Sequence, residues 1–270
     1  MCTAIIGIDP SSPVPVLLAG VRDEFVNRAW ERPAPHWPDR PGLVGGRDLR
    51  AGGTWLAVDP AAPRAGVVLN GRGRFAPEDR RASRGELPLL AASGADPGAL
   101  SLDVFDPFHL VAAEPGRVRL WSWDGDALTE HELGPGVHII VNSGLEGGGG
   151  PAPADGPDGG PDGGAGDGAR EDAYMAARLS HFRPRMLTAP RPRPGFGDEP
   201  AGKAWGAWLP LIDGDGLARA DHRALLPLID LGGGNVWGTT SVSLVALAAD
   251  DARYDFSAMP GDPAAWTRVL

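Results

Sequence analysis

The chain is short of several things, and each shortage removes a class of function. One cysteine in 270 residues leaves no intrachain disulfide framework and no cysteine-clustered zinc site. No apolar run approaches the ~18 residues of a membrane span; the best, Val14 to Val21, already contains a proline and a glycine. Positive charge is also scarce: 25 Lys+Arg stand against 35 Asp+Glu, a net charge of −10. That acidic balance speaks against general nucleic-acid binding, which needs a basic footprint. The opening residues, Met1-Cys2-Thr3-Ala4-Ile5-Ile6, hold no basic segment and do not read as a signal peptide. A soluble, cytoplasmic protein is the expectation.

Other motifs are missing too. The histidines His36, His109, His131, His138, His181 and His222 show no His-x-x-x-His or similar ligand spacing, so neither a metal site nor a cofactor is expected. Gly42 to Gly53 is rich in glycine but holds no Walker pattern and no GxGxxG after a strand, which leaves nucleotide binding unsupported. Its glycines are read as permitting tight turns and close backbone approach. No internal repeat is found at solenoid periods.

What is present suits a globular chain: 42% hydrophobic residues, nine tryptophans, and 40 glycines with 28 prolines. The glycine and proline excess gathers in Gly147–Gly168, GGGGPAPADGPDGGPDGGAGDG. With no large apolar residue, that stretch cannot repay its ordering entropy and is expected to be a flexible acidic loop. Arg32–Gly42 is read as ordered irregular chain beside Trp30 and Trp37, and Arg191–Gly195 as a further break.

Apolar, β-branched runs at Thr3–Ile8, Val14–Val21, Thr54–Val58 and Gly66–Leu69 predict strands. Ser83 with Glu86 three residues on has capping-box spacing and predicts a helix start, with Pro88 early in it. Phe108–Ala113, Val118–Trp123, Leu128–Leu133 and Val137–Asn142 read as a four-strand antiparallel meander, with an Asp-Gly hairpin signal at Asp124-Gly125. Ala173, Ala176, Ala177, Leu179 and Phe182 repeat at helical spacing before Pro184. Ala204–Ile212 and Ala224–Ile229 predict short helices, and Val236–Ala248 and Tyr254–Phe256 return to strand. Strands from both ends with helices in separate blocks indicate an α+β fold, read as one domain over 1–270 with a loop insertion.

Cys2 carries the most chemical information. If Met1 is removed, one residue presents a thiol and a free α-amine. The thiolate is the nucleophile, and an α-amine with pKa near ~7.7–8.0 is suited to accept its proton. The plainer alternative is an incidental second residue, or a buried cysteine capping the first strand. Arg22, Asp23 and Glu24 end the second strand-like run. In a hairpin they would stand near Cys2, Arg22 favouring thiolate or holding a substrate oxygen and Asp23 or Glu24 orienting the amine. The alternative is a solvated charge cluster. Trp55, Trp205, Trp208 and Trp237 are expected in the core or a pocket wall. His109 would be the residue to serve as a haem ligand, against the plainer reading of a strand residue facing water.

These pieces together resemble a family. Met1-Cys2-Thr3, Val21-Arg22-Asp23-Glu24-Phe25, Gly45-Gly46-Arg47-Asp48 and Ala51-Gly52-Gly53-Thr54-Trp55-Leu56 are similar to the NRDE family, that of transport and Golgi organisation protein 2. The likeness continues through Leu69-Asn70, Ser83-Arg84-Gly85-Glu86-Leu87, Asp106-Pro107-Phe108-His109-Leu110, Val141-Asn142-Ser143 and Trp237-Gly238-Thr239. The family in turn resembles N-terminal-nucleophile hydrolases of the cholylglycine hydrolase and penicillin V acylase type. The resemblance implies a four-layer αββα sandwich, Cys2 as nucleophile, Arg22 and Asp23 as its supporting pair, and Asn142 with Asn70 as substrate and oxyanion donors. Glu24, Trp55 and His109 would help to bind a small-molecule amide or acyl substrate.

Two positions depart from the family pattern. Val21 stands where the family has Asn, implying a lost substrate contact, and Thr240 stands where Gly-Thr-Arg is common. The alternative these departures imply is a non-catalytic protein handling haem, acyl-CoA or lipid.

Overall fold

Strands that read as unbroken hydrophobic runs are those with both faces covered, and the first two strands sit where that requires. β1 (Thr3–Ile8) is buried at every residue, and β2 (Val16–Phe25) over its first eight. Strand alternation sends Ile5, Leu17 and Ala19 to one side and Ala4, Ile6 and Leu18 to the other. Each side is a separate hydrophobic core. The computed structural model describes residues 2–147 and 165–270, with the backbone alone over 165–170.

The remaining strands are β3 (Trp30–Ala34), β4 (Val44–Asp48), β5 (Leu56–Asp59), β6 (Arg64–Asn70), β7 (Phe108–Glu114), β8 (Arg117–Trp123) and β9 (Leu128–Glu132). After them come β10 (Gly136–Val141), β11 (Gly144–Leu145), β12 (Leu228–Asp230), β13 (Val236–Leu247), β14 (Ala252–Ser257) and β15 (Trp266–Arg268). One sheet runs β11-β10-β1-β2-β13-β14-β15, with β12 paired to β13; the other runs β3 to β9 in chain order. The helices are α1 (Leu87–Ala92), α2 (Ala165–Thr188), α3 (Ala201–Trp205) and α4 (Trp208–Ile212). Met175, Phe182, Trp205, Trp208 and Ile212 pack on the outer face of the first sheet. α1 covers the outer face of the second, where Leu87 and Leu89 meet Phe108 and Ala57. The two inner faces pack on each other through Ile6, Leu18, Val67 and Val111. The order is helix, sheet, sheet, helix: an α+β, four-layer αββα sandwich. No helix among the described residues is long and apolar enough to cross a membrane.

Several expectations are corrected. The four-strand meander has only three members, because β10 leaves β9 and pairs with β1 in the opposite sheet. Pro135 between two glycines breaks the run, and Ile139, Ile140 and Val141 then have both faces buried. Ala224–Ile229 is not a helix. Pro227 interrupts it, and the carbonyls of Ala224, Leu226 and Pro227 accept from Arg178 and Arg219 instead of from helical N–H groups. Pro184 does not end α2, which continues to Thr188 with Met186 buried.

Arg32–Gly42, read as irregular, begins inside β3. Ser83 caps a 3₁₀ turn at Arg84–Glu86 through the Gly85 N–H, and α1 follows with Pro88 in its first turn. The Gly/Pro/Asp-rich stretch lies outside the described residues apart from residue 147 and the backbone from 165, where α2 has already begun.

Candidate active site at the start of the first strand

Cys2 immediately precedes β1, and alternation assigns its neighbours. Thr3 turns toward α2, whereas Cys2 joins Ala4 on the face packed against the second sheet. β2 runs antiparallel with Thr3 opposite Val21, so Arg22 shares the face of Cys2 while Val21 and Asp23 face the helices. Position 21 therefore belongs to the sheet–helix core, and Val21 is 2% exposed there. The Val21 side chain packs on the helix side of the sheet, while the residue also borders the cleft beside Cys2.

Cys2 is half-buried. Its Sγ lies 3.8 Å from the Asp23 carbonyl oxygen, and its backbone N–H donates to Asn142 Oδ1 at 3.0 Å. β10 makes that possible, since Val141 sits opposite Thr3. Asn142 is held on two further sides: its Nδ2 donates to Glu171 Oε1 at 2.8 Å, and its carbonyl lies 3.1 Å from His109 Nε2. His109 reaches across from β7 and meets Ser122 Oγ through Nδ1 at 2.7 Å. Burial lowers its pKa and keeps the ring neutral. With both ring nitrogens engaged and 7% exposure, His109 neither faces water nor is free to bind haem or substrate. It positions Asn142.

Arg22, on the sulfur's side of β2, is 5% exposed. Its Nη1 donates to Thr240 Oγ1 at 2.8 Å and its Nη2 to Asp48 Oδ2 at 3.2 Å, and its guanidinium lies 4.4 Å from the centre of the Trp55 ring. Asp48 also accepts from Arg28 Nε at 2.6 Å and from the N–H groups of Arg50 and Ala51. Burial raises the Asp48 carboxyl, but the Arg28 hydrogen bond, the Ala51 N–H and the two guanidinium charges outweigh it and leave the pKa lowered. A methyl group at Gly46 would overlap the Trp55 ring, and one at Gly53 would overlap the Gly85 backbone. Gly45, Gly46 and Gly53 are thus close-approach residues, Gly46 being the one on which the Trp55 ring lies, whereas Gly52 supplies a turn at φ +76°.

Asp23, on the helix face, is paired differently. Its Oδ1 accepts from Thr239 Oγ1 at 2.6 Å, and its Oδ2 from Arg178 Nη1 at 3.3 Å. Arg178 also donates to Thr3 Oγ1 at 2.7 Å. A break in register between Thr239 and Ser241 is the kind of bulge that re-aims side chains. It lets Thr239 serve Asp23 and the adjacent Thr240 serve Arg22. Burial raises the Asp23 carboxyl against the pull of Arg178. Burial also raises the Cys2 thiol, as does the Asp23 charge, while Arg22 lowers it.

The cleft beside Cys2, walled by Gly20, Arg22, Trp55 and Leu69, has a volume of about 10 Å³, room for roughly one water. Past Thr240 lies a larger cavity of about 540 Å³, bordered by Trp30, Thr239, Thr240 and Arg219.

The structure therefore brings Cys2, Arg22, Asp23, Asn142 and Trp55 together. Asn70 ends β6 exposed, next to Leu69 in the cleft wall but not itself among the walls. Glu24 pairs with Arg28 at 3.5 Å and accepts from the Phe25 N–H, so it does not orient the Cys2 nitrogen; Asn142 does. Arg178, Glu171 and Asp48 were missing from the expected site. Arg178 had a signal, a charge on the apolar stripe of Met175, Leu179 and Phe182. Among the described residues, no three His, Cys, Asp or Glu side chains converge as a metal ion needs.

A family model described as Transport and Golgi organisation 2 matches residues 1–151, more than half of the 270. No curated protein sequence matches significantly. Among solved structures, the Caenorhabditis elegans N-acylethanolamine-hydrolyzing acid amidase (NAAA) ortholog is similar over 100% of both chains, at a TM-score of 0.37 and 9% identity.

Proposed function

The chain belongs to the Transport and Golgi organisation 2 family, and we propose that it is an N-terminal cysteine hydrolase cleaving a non-peptide amide or a related acyl bond. The observation that carries this reading is the side-chain acceptor given to the nitrogen of residue 2. Asn142 Oδ1 takes that N–H at 3.0 Å and is itself anchored by Glu171 and His109. A nitrogen that must take up and return a proton needs such a fixed orientation.

The chemistry follows from the charges. Burial raises the thiol, so at neutral pH Cys2 is protonated and needs a base. Removal of residue 1 turns its amide nitrogen into an α-amine, which accepts the thiol proton as sulfur adds to the substrate carbonyl. The second hydrogen of Asn142 Nδ2, not used by Glu171, is the donor for the oxyanion; one such donor is worth about 10²–10³ in rate. The ammonium returns the proton to the leaving nitrogen, the carbon–nitrogen bond breaks, and a thioester remains. Water, deprotonated by the same amine, hydrolyses it. Arg22 holds positive potential beside the sulfur throughout, kept rigid by Asp48, Thr240 and Trp55.

The test is turnover of simple aryl amides by protein lacking residue 1. Wild type is expected to release amine, Cys2→Ala to lose at least about 10³-fold, and Cys2→Ser to keep a small residue of activity. Equal turnover by wild type and Cys2→Ala would remove the proposal.

A second reading, ligand handling without hydrolysis, is favoured by one observation. The larger cavity, about 540 Å³, lies beyond Thr240 rather than at the sulfur. On that reading a ligand binds undiminished after Cys2→Ala. Haem ligation through His109 is not part of it, since both ring nitrogens are engaged.

A further inference from the structure

An asparagine amide is nearly symmetrical in shape and opposite in chemistry at its two ends, an oxygen that accepts and an NH₂ that donates. Which end of Asn142 meets the Cys2 nitrogen is decided on α2. Glu171 Oε1 stands 2.8 Å from Asn142 Nδ2. A carboxylate only accepts, so Glu171 takes the NH₂ end and leaves Oδ1 to face the Cys2 nitrogen at 3.0 Å. Asn142 is 5% exposed, which leaves water little part in setting its amide.

Glu171 is held in turn. Arg72, two residues beyond the end of β6, places Nη2 3.7 Å from Glu171 Oε2 and pairs through Nη1 with Asp172. With Oε2 turned to a guanidinium, Oε1 is the oxygen left for Asn142. β6 belongs to the second sheet, whereas Asn142 follows β10 in the first. The chain Arg72–Glu171–Asn142 therefore runs from one sheet, through α2, to the residue that opens β1 in the other.

The orientation matters because a neutral α-amine has a single lone pair. Facing Oδ1, the amine donates, and the lone pair stays free to take the thiol proton as sulfur bonds to the carbonyl carbon. Facing Nδ2, it would accept, and the lone pair would be taken up by Asn142. Resting on the assignment of Cys2 as nucleophile and its α-amine as base, we propose that Glu171 is a positioning residue. Steadied by Arg72, it fixes the Asn142 amide with oxygen toward Cys2 and so keeps the lone pair of the amine available.

The experiment uses protein lacking residue 1 and labelled with nitrogen-15 cysteine, which marks one nitrogen because the chain has a single cysteine. Its resonance is titrated against pH in wild type, Glu171→Leu and Glu171→Gln. In Glu171→Leu nothing holds the NH₂ end, the neutral amine accepts from Nδ2, and protonation is expected to weaken about ten-fold. Glu171→Gln, whose amide presents either an oxygen or an NH₂, is expected to weaken it less. Arg22 and Asp23, the other charges close to Cys2, and Arg72 and Asp172 beside Glu171 are common to all three proteins. The Glu171 side chain is 30% exposed, so the bare effect of its charge is screened in 1 M salt, where the Debye length is about 3 Å. The weakening is expected to persist there. Turnover of aryl amides by Glu171→Leu is expected to lose at least about ten-fold in kcat with KM unchanged. Protonation unaltered in both variants, or a weakening that vanishes in 1 M salt, overturns the proposal. Should wild type cleave no amide, the hydrolase reading fails separately, and the titration, which needs no turnover, still decides the orientation.

Discussion

The two faces of β2 hold charge in opposite ways. On the helix side, Asp23 and Arg178 form one closed pair, with side chains 0% and 3% exposed. On the sheet side, Arg22 and Asp48 are 5% and 11% exposed and lead outward through Arg28 and Glu24, each about a quarter exposed. The first arrangement fixes a strand end to a helix. The second grades from buried to wet and leaves the guanidinium beside the sulfur in contact with a path to solvent. The difference sets a closed, dry pair on the Asp23 side against a graded, partly wet one on the Arg22 side, although the two residues are consecutive.

The comparison breaks most visibly if the closed pair is opened. Arg178→Met leaves Asp23 buried without its cation and is expected to cost about 3–5 kcal/mol in urea unfolding. Adding Asp23→Asn should return much of that loss, as the coupling of two groups in one network requires. A loss below about 1 kcal/mol for Arg178→Met would mean the pair is not what holds α2 to the strand ends.

The graded side should respond less, and with a pH dependence of known sign. Asp48 is held below its ordinary pKa, so the stability it contributes is fully present above the unfolded value near ~3.9 and is lost as pH falls through the folded one. Asp48→Asn is therefore expected to cost about 1–3 kcal/mol at neutral pH. The gap to wild type should close as the medium is acidified below about pH 4. A gap that stays constant with pH would show that hydrogen-bond geometry, not charge, fixes Arg22.

Much of the architecture was legible because burial on both faces writes a plain signal. β1 was read to the residue, and β13 and β14 to within a residue or two. Thr54–Val58 likewise begins two residues before β5 and ends one short of it. Pairings over long separations were not legible: nothing in Val137–Asn142 says that it will leave β9 for β1. Short edge strands such as β3 and β15 carry too few apolar residues to stand out. At the site, Cys2, Arg22 and Asp23 were visible as reactive types at a strand start and a strand end. Which face each occupies was not, and that decides which partners each one meets. Asn142 was expected to hold substrate and oxyanion; what the sequence did not reveal is that the register of β10 against β1 also brings its side-chain oxygen to the Cys2 nitrogen. Asp48 lay in a motif already noticed, yet its contact with Arg22 depends on β4 belonging to the opposite sheet.

The central claim is that the nitrogen and sulfur of Cys2 act together, and the most direct measurement is intact mass after a brief incubation with a thiol-directed acylating probe, followed by peptide mapping. The account predicts a chain beginning at residue 2 and a single acyl group on the Cys2 sulfur. Residue 1 still in place, or a folded protein whose Cys2 stays unlabelled, would contradict it.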